Sequence, residues 1–218
     1  MVYRLDVETL RVRAGAALDD APTDAAAEPA FGQSRGRSDY DLNPHLIDKL
    51  GDMPPPRQAA VLVPIVVRSE LTVLLTQRSA ALKRHAGQIA FPGGRIDATD
   101  ESALAAALRE TREEIGVEAG LIEPIGYLDA YRTGTGFNVT PIVGLVAPDH
   151  TIQADPTEVD FVFEVPLSFL MDPQNHQKHS RVWNGQERHF YAIPYQDHYI
   201  WGATAGILKN LHERLFAP

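Results

Sequence analysis

The chain has 218 residues, 44% hydrophobic and 22% charged, with 29 acidic and 20 basic side chains, a net charge of −9 and no cysteine. This composition fits an ordinary globular chain with one main domain. It excludes disulfides, thiolate nucleophiles and cysteine zinc sites, and its acidic balance speaks against a nucleic-acid binder, which needs a basic footprint. No apolar run is long enough to span a membrane. Asp6 and Glu8 stand where a secretory signal would carry a basic region, and Phe216-Ala217-Pro218 is not a peroxisomal address, so a cytoplasmic location is expected.

In chain order, residues 1–56 read as an N-terminal extension, partly flexible. Ala, Asp, Gly, Ser and Pro crowd residues 14–45 with little periodicity, which predicts a loose lead-in, then a short helix over 43–50 and a break at Met53-Pro54-Pro55-Pro56. A place for this segment in a homodimer interface stays open. The main domain is placed at 57–218. Apolar runs at 60–67 and 71–76 about Arg68-Ser69-Glu70 predict a strand pair. A basic loop over 77–90 returns as a short strand into Pro92-Gly93-Gly94. A helix follows over about 101–115, with Thr99 or Asp100 as its cap and Glu101 favouring its first turn.

Strands at 122–131 and 139–147 flank Arg132-Thr133-Gly134-Thr135-Gly136, read as a hairpin turn because no helix follows to make a phosphate cradle. A strand at 160–165, a short helix at 167–170 and two strand-like pieces within 181–193 come next. Leu208, Leu211 and Leu215 mark a packing helix over 204–215. Strands and helices intermix without repeated βαβ units. The fold class is therefore α/β, an α/β/α sandwich with a mixed sheet.

The chemistry concentrates in residues 91–117. At about 100° per residue, Glu110, Glu113 and Glu114 share one narrow helix face, while Leu104, Leu108, Thr111 and Ile115 share another. Carboxylates this close repel, and near a helix C-terminus the dipole disfavours them further. Arg109 and Arg112 offset part of that, as on a salt-bridged solvated face. A hard divalent cation completed by substrate phosphates is the sharper reading. Gly93-Gly94 supports it, because glycine lets the backbone come close to the same helix and add a carbonyl ligand.

The run of Glu101, seven residues, then Arg109-Glu110-x-x-Glu113-Glu114-x-Gly116-Val117 resembles the Nudix box of hydrolases that cleave nucleoside diphosphates linked to another group. The usual box has five residues between its leading glycine and first glutamate; here six separate Gly94 from Glu101, which puts Arg95 where the glycine is counted. Upstream, Leu74-Leu75-Thr76-Gln77-Arg78-Ser79, then Lys83-Arg84-His85-Ala86-Gly87-Gln88, leading into Phe91-Pro92-Gly93-Gly94, is similar to the extra motif of the coenzyme A diphosphatase branch. In that motif a basic residue, commonly arginine, follows the Arg-Ser pair; here it is Lys83, with Arg84 next. Segments 136–141, 163–167 and 200–205 are similar to the same branch, so the resemblance covers roughly 58–215.

The resemblance implies the same sandwich fold and a coenzyme A class nucleotide as substrate, cleaved to 3′,5′-ADP and 4′-phosphopantetheine. Mg²⁺ or Mn²⁺ would be held chiefly by Glu110 and Glu114, with the Gly94 carbonyl as a further ligand and Glu113 serving a second ion or the water. Either Glu113 or Glu158 is the general base, and Arg109 orients the glutamates. Arg78, Lys83, Arg84 and Arg95 are the cations expected to meet phosphates, with His85 beside them. An ADP-ribose or dinucleotide hydrolase and a non-catalytic nucleotide-binding module are the alternatives. A Nudix isomerase is disfavoured, since no cysteine is available as its acid. His176, His179, His189 and His198 sit in polar segments without a zinc spacing, Trp201 reads as core, and no Gly-x-Ser-x-Gly elbow supports serine hydrolysis.

Overall fold

Two ten-residue strands set the frame. In the computed structural model, which describes residues 5–22, 37–47, 54–183 and 185–216, β2 (Arg57–Val66) and β8 (Phe137–Val146) run parallel, from Arg57↔Phe137 to Val66↔Val146. Their inner residues are almost all buried, as strands covered on both faces require. Along the outer edge of β8 lie β6 (Ile122–Tyr127) and β7 (Tyr131–Arg132), both antiparallel, and β1 (Arg37–Ser38) adds a parallel edge to β7.

On its other side, β2 pairs first with β5 (Gly93–Arg95) and then with β3 (Thr72–Arg78). β3 carries β9 (Val159–Pro166) along its far edge and β4 (Ile89–Ala90) at its end. The sheet therefore forks. β2 and β3 pair only at Ile65↔Val73 and Val66↔Thr72, then part, with β5 on one tine and β4 on the other. Phe91-Pro92 crosses between the tines, where the Pro92 carbonyl accepts from Leu62 N–H.

One face is covered by α2 (Ala103–Ile115), whose Ala106, Ala107 and Ile115 pack with Leu62, Val66, Leu74, Ile142 and Val146. The other face carries α1 (Val7–Ala17), α3 (Leu167–Leu170), α4 (Ala203–Leu215) and a second, antiparallel sheet of β10 (Gln177–Trp183), β11 (Gln186–Tyr195) and β12 (His198–Trp201). The expected α/β/α sandwich with a mixed sheet is the fold observed.

Several expectations change. Part of the N-terminal extension belongs to the core. Asp6 caps α1 by accepting from Thr9 N–H, and Leu10 and Ala14 are buried in the core shared with α4. Asn43 reaches across to clamp both backbone groups of His189 on β11 at 2.8 Å each. Of the helix expected at 43–50, residues 44–47 form a 3₁₀ turn and 48–50 lie outside the described residues, as does 23–36 of the lead-in. The strand expected at 122–131 is two strands, because the pairing with β8 slips between Pro124 and Gly126 and Leu128 to Ala130 leave the ladder. The two strand-like pieces expected within 181–193 are parts of β10 and β11, and β12 adds a third strand beyond them.

Candidate active site

The catalytic-type helix starts later than the sequence suggests. Ser102, in extended conformation, accepts from Ala105 N–H at 3.1 Å and caps α2, and Gly116 ends it in the left-handed region at φ 74°. Neither Thr99 nor Asp100 is the cap. Asp100 turns instead toward Arg109, whose Nε and Nη2 each donate to its carboxylate at 2.9 Å. That bidentate grip, with the Asp97 N–H, lowers the Asp100 pKa to about 2. Glu101 is exposed and stands outside this arrangement. Five residues separate Asp100 from Gly94, the spacing expected of the box acid, so the extra residue falls after the acid and not before it.

Arg109 then distributes the rest of its guanidinium. Its Nη1 meets Glu110 at 3.0 Å and Glu113 at 2.9 Å, and its Nη2 donates to the Arg95 carbonyl at 3.3 Å. The three glutamates differ sharply in setting: Glu113 is exposed, Glu110 half-buried, and Glu114 buried at 2% exposure. The acidic face therefore does not simply look outward, and Leu104 and Leu108 are only half-buried. The cause is the glycine turn laid over the helix. A Cβ on Gly94 would fall within 2.5–2.7 Å of the Glu110 carboxylate, and one on Gly93, at φ +145°, within 2.4 Å of the Ala60 carbonyl.

Glu114 sits in the fork. It accepts from Gly93 N–H at 3.1 Å on the β5 side and from Arg78 Nη1 at 3.3 Å on the β3 side. Burial raises its pKa to about 7; Gly93 N–H and Arg78 pull the other way, and Glu110 and Glu158 push it further up. Burial also raises that of Glu110, with Arg109 opposing it and Glu113 and Glu158 adding to it. The box carboxylates thus feel Glu158, whose carbonyl accepts from Ser79 N–H at the end of β3.

Among the described residues no three acidic or imidazole groups converge at metal-ligand distances, since Arg109 and Arg78 hold the carboxylates. The donors nevertheless suit a hard divalent cation: they are carboxylate and carbonyl oxygens, and buried Glu114 has Arg78 as its one ion-pair partner among the described residues. The ladder also says which carbonyl faces them. Leu62 N–H to Pro92 and Ile96 N–H to Gln58 carbonyl bonds put Gly94 in the parity that bonds β2. Gly93, whose N–H meets Glu114, has the parity that turns its carbonyl away from β2, whereas Gly94, the expected carbonyl ligand, is turned toward β2.

The basic loop is closed at its neck by Arg78 N–H to Gln88 carbonyl and Gly87 N–H to Arg78 carbonyl. Lys83, Arg84 and His85 stand exposed at its tip; His85, at φ 56°, holds Gln88 through Nδ1 at 2.8 Å. The structure thus brings Arg78, but not these three, onto a box carboxylate. Arg95 is exposed on β5. Three of the four histidines read in polar segments are half-buried: His176 bonds the Leu170 carbonyl, His179 the Tyr199 hydroxyl, and His198 stacks on Phe163 at 3.9 Å. Trp201 is half-buried, 5.2 Å from the Phe190 ring. Asp100 and the Gly93 carbonyl went unforeseen; counting forward from Gly94 would have found the first, and strand parity the second.

Residues 56–191 match the NUDIX domain. The chain is 44% identical over 155 residues to an uncharacterised Nudix hydrolase, NudL, of Escherichia coli (strain K12), a match covering 71% of this chain and 81% of that protein. Among solved structures it is similar to a Nudix hydrolase from M. smegmatis, RenU, at 21% identity over 55% of this chain and 76% of that one, with a TM-score of 0.46. A C. elegans Ap4A hydrolase binary complex gives 21% identity, coverage of 50% and 80%, and a TM-score of 0.44. The domain match over 56–191 and the 44% identity to a Nudix hydrolase across 81% of its length show that the chain belongs to the Nudix hydrolase family.

Proposed function

We propose that this Nudix hydrolase cleaves the diphosphate of coenzyme A or its derivatives, releasing 3′,5′-ADP and 4′-phosphopantetheine or its acyl form. The observation that carries the reading is the 3.3 Å contact between Arg78 and Glu114, which joins the upstream motif of the coenzyme A branch to the box itself. Glu110, Glu114 and the Gly93 carbonyl are the groups we assign to a divalent cation, Mg²⁺ or Mn²⁺, with Glu113 at the exposed margin for a second. Bound there, the cation supplies neutralising charge at the diphosphate and acidifies the attacking water.

The protein's own groups do the rest. Arg109, anchored by Asp100, holds Glu110 and Glu113 in place without touching substrate. Arg78, 3.3 Å from Glu114, would be released to meet a phosphate oxygen if a cation replaced it at that carboxylate. Between the two candidate bases, Glu113 is engaged by Arg109, whereas Glu158 makes no ion pair among the described residues and faces Glu110 and Glu114. Glu158 is therefore assigned to accept the proton of the water. Arg95, Lys83 and Arg84 face the solvent side as further phosphate cations, and His85 fixes the loop that carries two of them.

The test is product analysis by mass after incubation with Mg²⁺ or Mn²⁺ and coenzyme A, ADP-ribose or NADH. Release of 3′,5′-ADP from coenzyme A, abolished by Glu114→Gln and more strongly reduced by Glu158→Gln than by Glu113→Gln, is the expected outcome. Turnover of ADP-ribose alone would replace the substrate and keep the mechanism. Binding of nucleotide with no cleavage of any of the three would make the chain a binding module.

A further inference from the structure

Arg57 and Arg95 share one face of the main sheet with no acid to answer them. Arg95 pairs across the ladder with Ala59, and Arg57 lies two residues before Ala59 on β2, so side-chain alternation puts both on the same face. Strand spacing and rise separate their Cα atoms by about 8 Å. Both are exposed and, among the described residues, neither joins an ion pair, in a chain of net charge −9.

Arg57 is also held in a particular pose. Its guanidinium lies 4.0 Å from the centroid of Phe137, its register partner on β8, while Nη2 makes only a 3.5 Å contact with the Thr135 carbonyl. Stacking on a ring fixes the guanidinium plane and leaves the in-plane N–H groups for an oxyanion.

Position supplies the ligand. Gly93 N–H meets Glu114 at the edge of β5 that faces the fork, so a diphosphate held by the box carboxylates lies beside that margin of β5. Arg95 is two residues from Gly93, and the line from Arg95 to Arg57 and Phe137 leads away from that margin on the face opposite α2. A phosphoryl group one ribose away from the diphosphate would meet it.

We propose that Arg57, with Arg95 and the Phe137 ring beneath, forms a subsite for a phosphomonoester on the nucleoside half of the substrate. This rests on the Nudix reading of the box and deepens the coenzyme A assignment. A substrate lacking that phosphate leaves both arginines unanswered.

The test is calorimetric titration of the whole protein, in Mg²⁺, with adenosine 3′,5′-bisphosphate and with 5′-AMP. Two charge-assisted contacts predict that the bisphosphate binds about tenfold or more tighter to the wild type. Arg57→Gln should remove most of that ratio at unchanged melting temperature, and Arg57→Lys should keep part of it. A wild-type ratio near one, or a ratio unaltered in Arg57→Gln, overturns the proposal. Coenzyme A turnover, measured in parallel, keeps the two readings apart. An intact ratio without cleavage refutes the substrate and leaves the subsite, whereas cleavage with a ratio of one does the reverse.

Discussion

Gly94→Ala isolates the close approach between the glycine turn and α2. The new Cβ would stand 2.5 Å from the Glu110 carboxylate carbon and 2.6 and 2.7 Å from its oxygens. Ordinary contact begins at 3.4 Å, so the carboxylate must withdraw by about 0.9 Å. Glu110 is the far end of a flexible side chain and half-buried, so it can yield, at a cost of about 1 kcal/mol or less, partly offset by the lower entropy of alanine in the unfolded chain. The melting temperature should move by no more than about 4 °C. A displacement near 1 Å in a catalytic constellation costs on the order of 100-fold in rate. The expected variant is therefore folded and nearly inactive. Gly93→Ala is its opposite: the Cβ meets the Ala60 carbonyl at 2.4 Å and the Val61 Cα at 2.6 Å, atoms that cannot turn aside, at a φ of +145°. That should cost about 3 kcal/mol or more and lower the melting temperature by roughly 10 °C. Steady-state kinetics and a thermal melt on both variants decide it. Gly94→Ala with kcat/KM within about threefold of wild type would show that Glu110 does not need its place beside β5.

Three further outcomes follow from the same geometry. Asp100→Asn should lower kcat/KM by about tenfold to a hundredfold, because Arg109 loses its charged anchor, while Glu101→Ala should leave kinetics unchanged; the reverse pattern would restore Glu101 as the box acid. In EDTA, Glu114 remains protonated in the folded state up to about pH 7, whereas the unfolded group ionises near 4.5. The folded state thus binds the extra proton between those values, and stability falls as pH rises through the window, by about 3 kcal/mol in all. Glu114→Gln should melt with a correspondingly flatter pH profile, and parallel profiles for the two proteins would contradict the assignment. Asn43→Ala removes both backbone bonds to His189 and should cost about 2 kcal/mol, read as a drop of several degrees in the melt.

How far the chain could be read depended on whether the signal was local. The second half of α2 was legible because its carboxylates and its glycine stop are fixed by spacing within one helix. The long central strands were legible as β-branched apolar runs. The box acid was not, because counting back from Arg109 gives Glu101 and counting forward from Gly94 gives Asp100; only the loop that closes Asp97 on Asp100 decides between them. The helix α1 escaped because it buries little beyond Leu10 and Ala14 and is held from outside: Arg13 donates to the Leu215 carbonyl, and Arg214 to that of Ala17. The carbonyl facing Glu114 escaped because it depends on ladder parity, which a strand of three residues does not reveal until its partner is known.

Arg214 has a consequence for how the molecule comes into being. It donates to the Ala17 carbonyl across 197 residues of sequence, and the same guanidinium meets Asp19 at 3.2 Å and Asp129 at 2.6 Å. On the ribosome, Ala17 and both carboxylates must wait for nearly all of the intervening chain to be made. Closing so long a loop carries an entropic cost that only the assembled core can offset. The forked strands and α2 all lie before Leu167, so their pairing partners are complete in sequence before Arg214 is made.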